Sequence, residues 1–87
     1  MLFRSNIHQL AKIFQQFSTE DDLVNFLKAI FTPSELKQLN KRLTIINELK
    51  NNKKHQEIAK ELAVGVATVT RGSKVLQNTR FKSINWG

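Results

Sequence analysis

Apolar residues recur at spacings of three and four along most of this chain, and the strict alternation that builds strands is absent. Ser5 to Phe17 carries Ile7, Leu10, Phe14 and Phe17 on one stripe, with Lys12, Gln15 and Gln16 off it, which predicts an amphipathic helix with a heavy aromatic edge. Ser18 and Thr19 followed by Glu20, Asp21 and Asp22 have the form of a hydroxyl cap and an acidic first turn, where the helix dipole favours negative charge. The helix opened there buries Leu23, Val24, Leu27, Ile30 and Phe31 and ends at Thr32-Pro33. Thr32-Pro33-Ser34-Glu35 then combines a Thr cap, Pro at the first helical position and Glu three residues beyond the cap, so a third helix starts here. Its stripe is Leu36, Leu39, Leu43 and Ile46, extended by Ile45 and Leu49, and it continues to about Lys50 before Asn51-Asn52-Lys53-Lys54 breaks the period.

From His55 to Leu76 the pattern changes to two short amphipathic helices joined by a tight turn. Ile58, Ala59 and Leu62 form one apolar face, and Val66, Val69 and Leu76 form the other. Small Ala59 permits a close helix crossing, Ala63-Val64-Gly65 makes the turn, and Gly65 caps the second helix. With roughly 100° per residue, Val66, Gly72, Ser73 and Leu76 fall within about 60° of Val69, while Ala67, Arg71 and Lys74 lie opposite and Thr68, Thr70 and Val75 flank them. The chain is therefore read as all-α with five main helices in a single domain, 1–87. Residues 1–50 supply dimerisation helices, 55–76 a helix-turn-helix and 77–87 a short tail, in which Phe81, Ile84 and Trp86 pack as a terminal helix or turn, or fray. Phe3, Phe14 and Phe17 are either ordinary core or, because so apolar a first helix is a liability on a small free monomer, a surface that meets a second copy.

In a helix-turn-helix the first helix crosses the DNA backbone and the second enters the major groove. The outward face offers cations for phosphate oxygens, hydroxyls for base edges and methyl groups for thymine. The expected DNA-binding residues are Gln56, Gly65, Val66, Ala67, Thr68, Thr70, Arg71 and Lys74, with the Lys53-Lys54 pair. Charge supports a polyanionic partner: residues 37–87 hold eleven Lys and Arg against Glu48, Glu57 and Glu61, an excess of eight, whereas residues 1–36 carry one net negative charge.

Catalytic residues and metal ligands are not expected. There is no cysteine, His8 and His55 are read as solvated positions at helix starts, and Glu20, Asp21 and Asp22 as a capping cluster; no nucleophile motif or phosphate loop is present. No apolar run approaches the roughly 20 residues that span a bilayer, and no signal-peptide core follows the first residues, so a soluble cytoplasmic protein is expected.

Phe31-Thr32-Pro33 opening a long helix, then Arg42-Leu43, and above all Ala67-Thr68-Val69-Thr70-Arg71-Gly72-Ser73 resemble the tryptophan repressor family. That resemblance implies an intertwined homodimer that takes L-tryptophan as corepressor and binds a double-stranded DNA operator. By the same resemblance Arg42 and Arg71 sandwich the indole, Arg71 also reaches the carboxylate, and Thr32 of the partner chain binds the carboxylate. Backbone carbonyls near Ala29 and Phe31 receive the ammonium group, and Gly72 leaves room for the ring. A guanidinium plane suits both an indole face and a carboxylate. Three positions depart from the family: Val75 stands where a hydroxyl lies near the ligand ammonium, the 51–54 loop is shorter, and the tail is shorter than a full last helix. Two alternatives stay open, a related DNA-binding regulator that does not respond to tryptophan and a helix-turn-helix module that docks on protein.

Overall fold

The computed structural model describes residues 2–86, with side chains from Asn6 onward, so the side chain of Phe3 lies outside the described residues. Six helices follow one another, with no strand among the described residues: α1 (Leu2–Phe14), α2 (Glu20–Ile30), α3 (Pro33–Lys50), α4 (His55–Leu62), α5 (Val66–Val75) and α6 (Thr79–Lys82). The chain divides into two compact units, Met1–Leu36 and Lys37–Gly87. The border falls inside α3 and not at the 51–54 turn, because Ile45 and Leu49 of α3 join the core made with α4 and α5. It is also the border of charge, since the excess of eight cations belongs wholly to the second unit.

In the first unit, α1 stops three residues short of the expected Phe17. After Phe14 the chain tightens: the Gln16 and Phe17 amides donate to Ile13 and Phe14 carbonyls three residues back. This unwinding brings Phe17 onto Phe26 of α2 at a ring separation of 4.6 Å, while Phe14 meets the same ring edge-on at 5.6 Å. His8 is an exposed residue within α1, not at a helix start, because the helix begins earlier, at Leu2. Thr19 caps α2 by accepting the Asp22 N–H at 3.2 Å. At the start of α3 the capping box is complete: the Glu35 N–H donates to Thr32 Oγ1 at 3.1 Å, and the Thr32 N–H donates to Glu35 Oε1 at 2.8 Å. No side chain from Asn6 to Leu36 is buried, and Ile7, Leu10, Val24 and Ile30 are exposed.

The second unit has a core of Ile45, Ile58, Ala59 and Val69, with Leu49, Leu62 and Val64 packed against it. The stripe of α3 is therefore used unevenly: Ile45 and Ile46 are buried, whereas Leu39 and Leu43 of the same predicted stripe are exposed. Val66, expected on the inner face of α5, is also exposed, being the first residue of the helix and one turn short of Val69. The tail adopts the short-helix alternative. Asn78 caps α6, the Trp86 indole N–H donates to the Phe81 carbonyl at 3.0 Å, and Lys50 Nζ donates to the Ile84 carbonyl at 2.9 Å.

The turn between α4 and α5 places its unusual backbone on Ala63, which is left-handed (φ 54°, ψ 48°). Gly65 is the N-cap of α5, as expected, in an ordinary extended conformation (φ −72°). A left-handed alanine costs about 1–2 kcal/mol, more than the ~0.5–1 kcal/mol that glycine's extra unfolded-state freedom removes. Ala63→Gly is thus expected to stabilise the protein by roughly 0.5–1 kcal/mol, read as a higher urea midpoint; a lower midpoint would contradict this account of the turn.

Candidate nucleic-acid interface and ligand cavity

Val69 is wholly buried and pins α5 by its inner side, so the helical rotation turns Ala67, Thr68, Thr70, Arg71 and Lys74 to solvent, and all five are exposed. Gly65, Val66 and Gln56 are exposed near the start of α5 and in the first turn of α4. This outer face combines two cations, two hydroxyls and two apolar side chains on one rigid element, with no carboxylate between Val66 and Val75. Such a face matches a duplex groove, with phosphates at the rim and base edges within.

The two lysines before α4 differ. Lys54 is exposed and stands at the N-cap of α4 without a side-chain capping bond. The half-buried Lys53 is already engaged, its Nζ lying 2.7 Å from Glu61 Oε2 and 3.3 Å from Glu48 Oε2. The hydrogen bond to Glu61, supported by Glu48, holds the Lys53 ammonium above its ordinary pKa of 10.5. The ammonium is therefore charged at neutral pH, and on the lysine side the pairing fades as pH climbs through the raised value. Of the two lysines expected to face DNA, Lys53 thus has its charge engaged by two carboxylates of its own chain, and Lys54 does not.

Within the second unit, α3 and α5 enclose a cavity of about 270 Å³ lined by Arg42, Ile45, Ile46, Thr68, Arg71, Gly72 and Val75. Four of the residues expected around a ligand meet here: Arg42, Arg71, Gly72 and Val75. Thr68, Ile45 and Ile46 complete the wall and are not among the expected ligand residues. A signal for them exists, because Thr68, Gly72 and Val75 are spaced by four and three on α5, as Arg42, Ile45 and Ile46 are by three and four on α3. Gly72 also governs the helix packing, since a Cβ there would sit 2.9 Å from Ile45 Cγ2, and the missing side chain is what lets α5 lie so close to α3. The polar groups offered to an occupant are two guanidinium groups and one hydroxyl, against aliphatic walls and with no carboxylate. That set suits a small flat molecule bearing a carboxylate.

The other expected ligand residues belong to the first unit. Ala29 is exposed in the last turn of α2. Half-buried Phe31 caps that helix, its N–H donating to the Leu27 carbonyl at 2.9 Å. Thr32 is exposed, and its hydroxyl accepts within the capping box. Among the described residues no group of three His, Cys, Asp or Glu is placed to hold a metal ion, and no helix is long and apolar enough to cross a membrane.

The family model described as Trp repressor protein matches residues 5–84. The Trp operon repressor homolog of Xylella fastidiosa is 38% identical over 74 residues, covering 84% of this chain and 80% of the relative. The homolog of Photobacterium profundum is 35% identical over 79 residues, covering 90% of this chain and 77% of the relative. That of Vibrio cholerae serotype O1 is 32% identical over 75 residues, covering 85% and 73% respectively. No solved structure matches with comparable significance. The family model spans both units, including the whole α4–α5 pair and the cavity wall, and with these relatives it places the chain in the Trp repressor family, as a Trp-repressor-like regulator.

Proposed function

We propose that this protein is a homodimeric repressor that binds a double-stranded DNA operator through α4 and α5 and takes L-tryptophan as corepressor in the cavity between α3 and α5. The observation that carries the reading is the double position of Arg71, which lines the cavity and stands on the exposed face of α5. A ligand carboxylate drawn to that guanidinium touches the same helix that meets the bases, which is a direct route to coupling the two binding events. In this reading Arg42 and Arg71 hold the indole and Gly72 leaves space beneath it. Thr32 and the carbonyls near Ala29 and Phe31 come from the second copy.

Dimerisation is supported by the first unit, whose described side chains include none that is buried, while Ile7, Leu10, Val24 and Ile30 stand exposed. Two helices without a core are not stable in water, and a second copy supplies the missing burial. Titrating the dimer with L-tryptophan by calorimetry tests the corepressor. Saturable heat that vanishes when the ligand lacks its carboxylate is the expected result, and no heat at millimolar ligand with a folded dimer refutes it. One observation favours a second reading, a regulator of the same kind with a different effector: Val75 puts an aliphatic wall where an ammonium group would look for a partner. The same titration separates the two.

A further inference from the structure

Glu48 lies in the last turn of α3 and Glu61 in the last turn of α4. Carboxylates at helix C-termini are poorly placed, because the helix dipole puts partial negative charge there. Both reach a single ammonium, that of Lys53, in the turn between the two helices. The Lys53 backbone is fixed as well: its N–H donates to the Glu48 carbonyl at 3.1 Å, and the preceding Asn52 is left-handed at φ 65°. Glu61 in turn is two residues before Ala63, the left-handed joint that sets the direction of α5.

We propose that Lys53 is a positioning residue for DNA recognition, a strut that ties the ends of α3 and α4 together and so sets the angle at which α5 is presented, without itself touching phosphate. Without the ammonium the two carboxylates lose their shared counter-charge at helix ends that already disfavour them, and the tie between α3 and α4 is lost. Lys54, one residue on and free of any ion pair among the described residues, is the phosphate contact of the two. This inference rests on the DNA-binding reading given above.

The test compares wild type, Lys53→Gln, Lys53→Arg and Lys54→Gln on two probes across a salt series: a duplex selected from a random pool by the wild-type protein, and a scrambled duplex of the same composition. Lys54→Gln is expected to weaken both duplexes alike and make the salt dependence shallower by about one per protomer, roughly two for the dimer. Lys53→Gln is expected to keep the wild-type salt dependence and its grip on scrambled DNA, while losing about tenfold on the selected duplex, the scale of one base contact. Lys53→Arg restores the preference. Amide hydrogen exchange in the free protein gives a readout without DNA: Ala63 and Val64, whose N–H groups bond the Ala59 carbonyl, exchange faster in Lys53→Gln and return to wild-type rates in Lys53→Arg. A salt slope that falls in Lys53→Gln as it does in Lys54→Gln makes Lys53 a phosphate contact and overturns the proposal, as does unchanged exchange at Ala63 and Val64. Wild-type protein that binds neither duplex in a salt-dependent way overturns the DNA-binding reading instead, and the exchange rates still decide whether the strut exists.

Discussion

Arg71→Ala is expected to abolish operator binding and the response to tryptophan in the same variant, with the fold intact. The guanidinium is exposed, so its removal opens no cavity in the core and leaves far-ultraviolet circular dichroism unchanged. A charged base or phosphate contact is worth roughly 1–3 kcal/mol, and a symmetric dimer loses it twice, which amounts to at least about thirtyfold in affinity. In the cavity the variant loses one of two cations, together with the plane that packs on the ring. Fluorescence anisotropy on an operator duplex and calorimetry on the same preparation check both losses. Lys74→Ala is the control, because Lys74 shares the exposed face but does not line the cavity. It should weaken DNA and leave the ligand heat in place. An Arg71→Ala protein that loses only one of the two activities would separate the sites and remove the basis for their coupling.

The second large effect is expected in the core. Ile58 of α4 is wholly buried in the core formed with Ile45, Ala59 and Val69. Ile58→Ala removes three carbons from a site with little freedom to collapse, a change that costs roughly 2–5 kcal/mol. Against a margin of about 5–15 kcal/mol for an ordinary small domain, that is a large fraction of the whole. The urea midpoint should fall steeply and DNA binding should fail with it at moderate denaturant. A loss below about 1 kcal/mol would mean that α4 is not held where the structure places it.

Much of this architecture is legible from residues that act on near neighbours. Thr19 with Asp22, and Thr32 with Glu35, satisfy backbone donors three residues away, so their patterns mark the starts of α2 and α3 without knowledge of anything distant. The α4–α5 pair is legible for the same reason, its two faces and its turn falling within a few helical turns. What resists reading depends on elements that meet across longer separations. Apolar period identifies the stripe on α3 but not which helix covers it, so Ile45 and Leu43 look equivalent until α4 and α5 select the former. The end of α1 depends on Phe26 drawing Phe17 inward. The partners of Lys53 lie five residues back across a turn and eight residues on, along a second helix, a spacing that no single helical face predicts.

The candidate site divides along the same line. Arg42, Arg71, Gly72 and Val75 are legible through their resemblance to a known pattern, and the fold gathers them. Thr68 reads from the sequence as an outer-face residue alone, because rotation about Val69 places it at the flank, where one residue can serve both the groove and the cavity.

Ile45 gives the cavity its mechanical meaning. The same side chain is a member of the core, forms part of the cavity wall and is the atom group against which Gly72 rests. An occupant of the cavity therefore leans on the peg that seats the reading helix, and filling that space stiffens the seat as well as adding contacts. Melting temperature and operator preference should consequently rise together as the cavity is filled, two readings of one mechanical event.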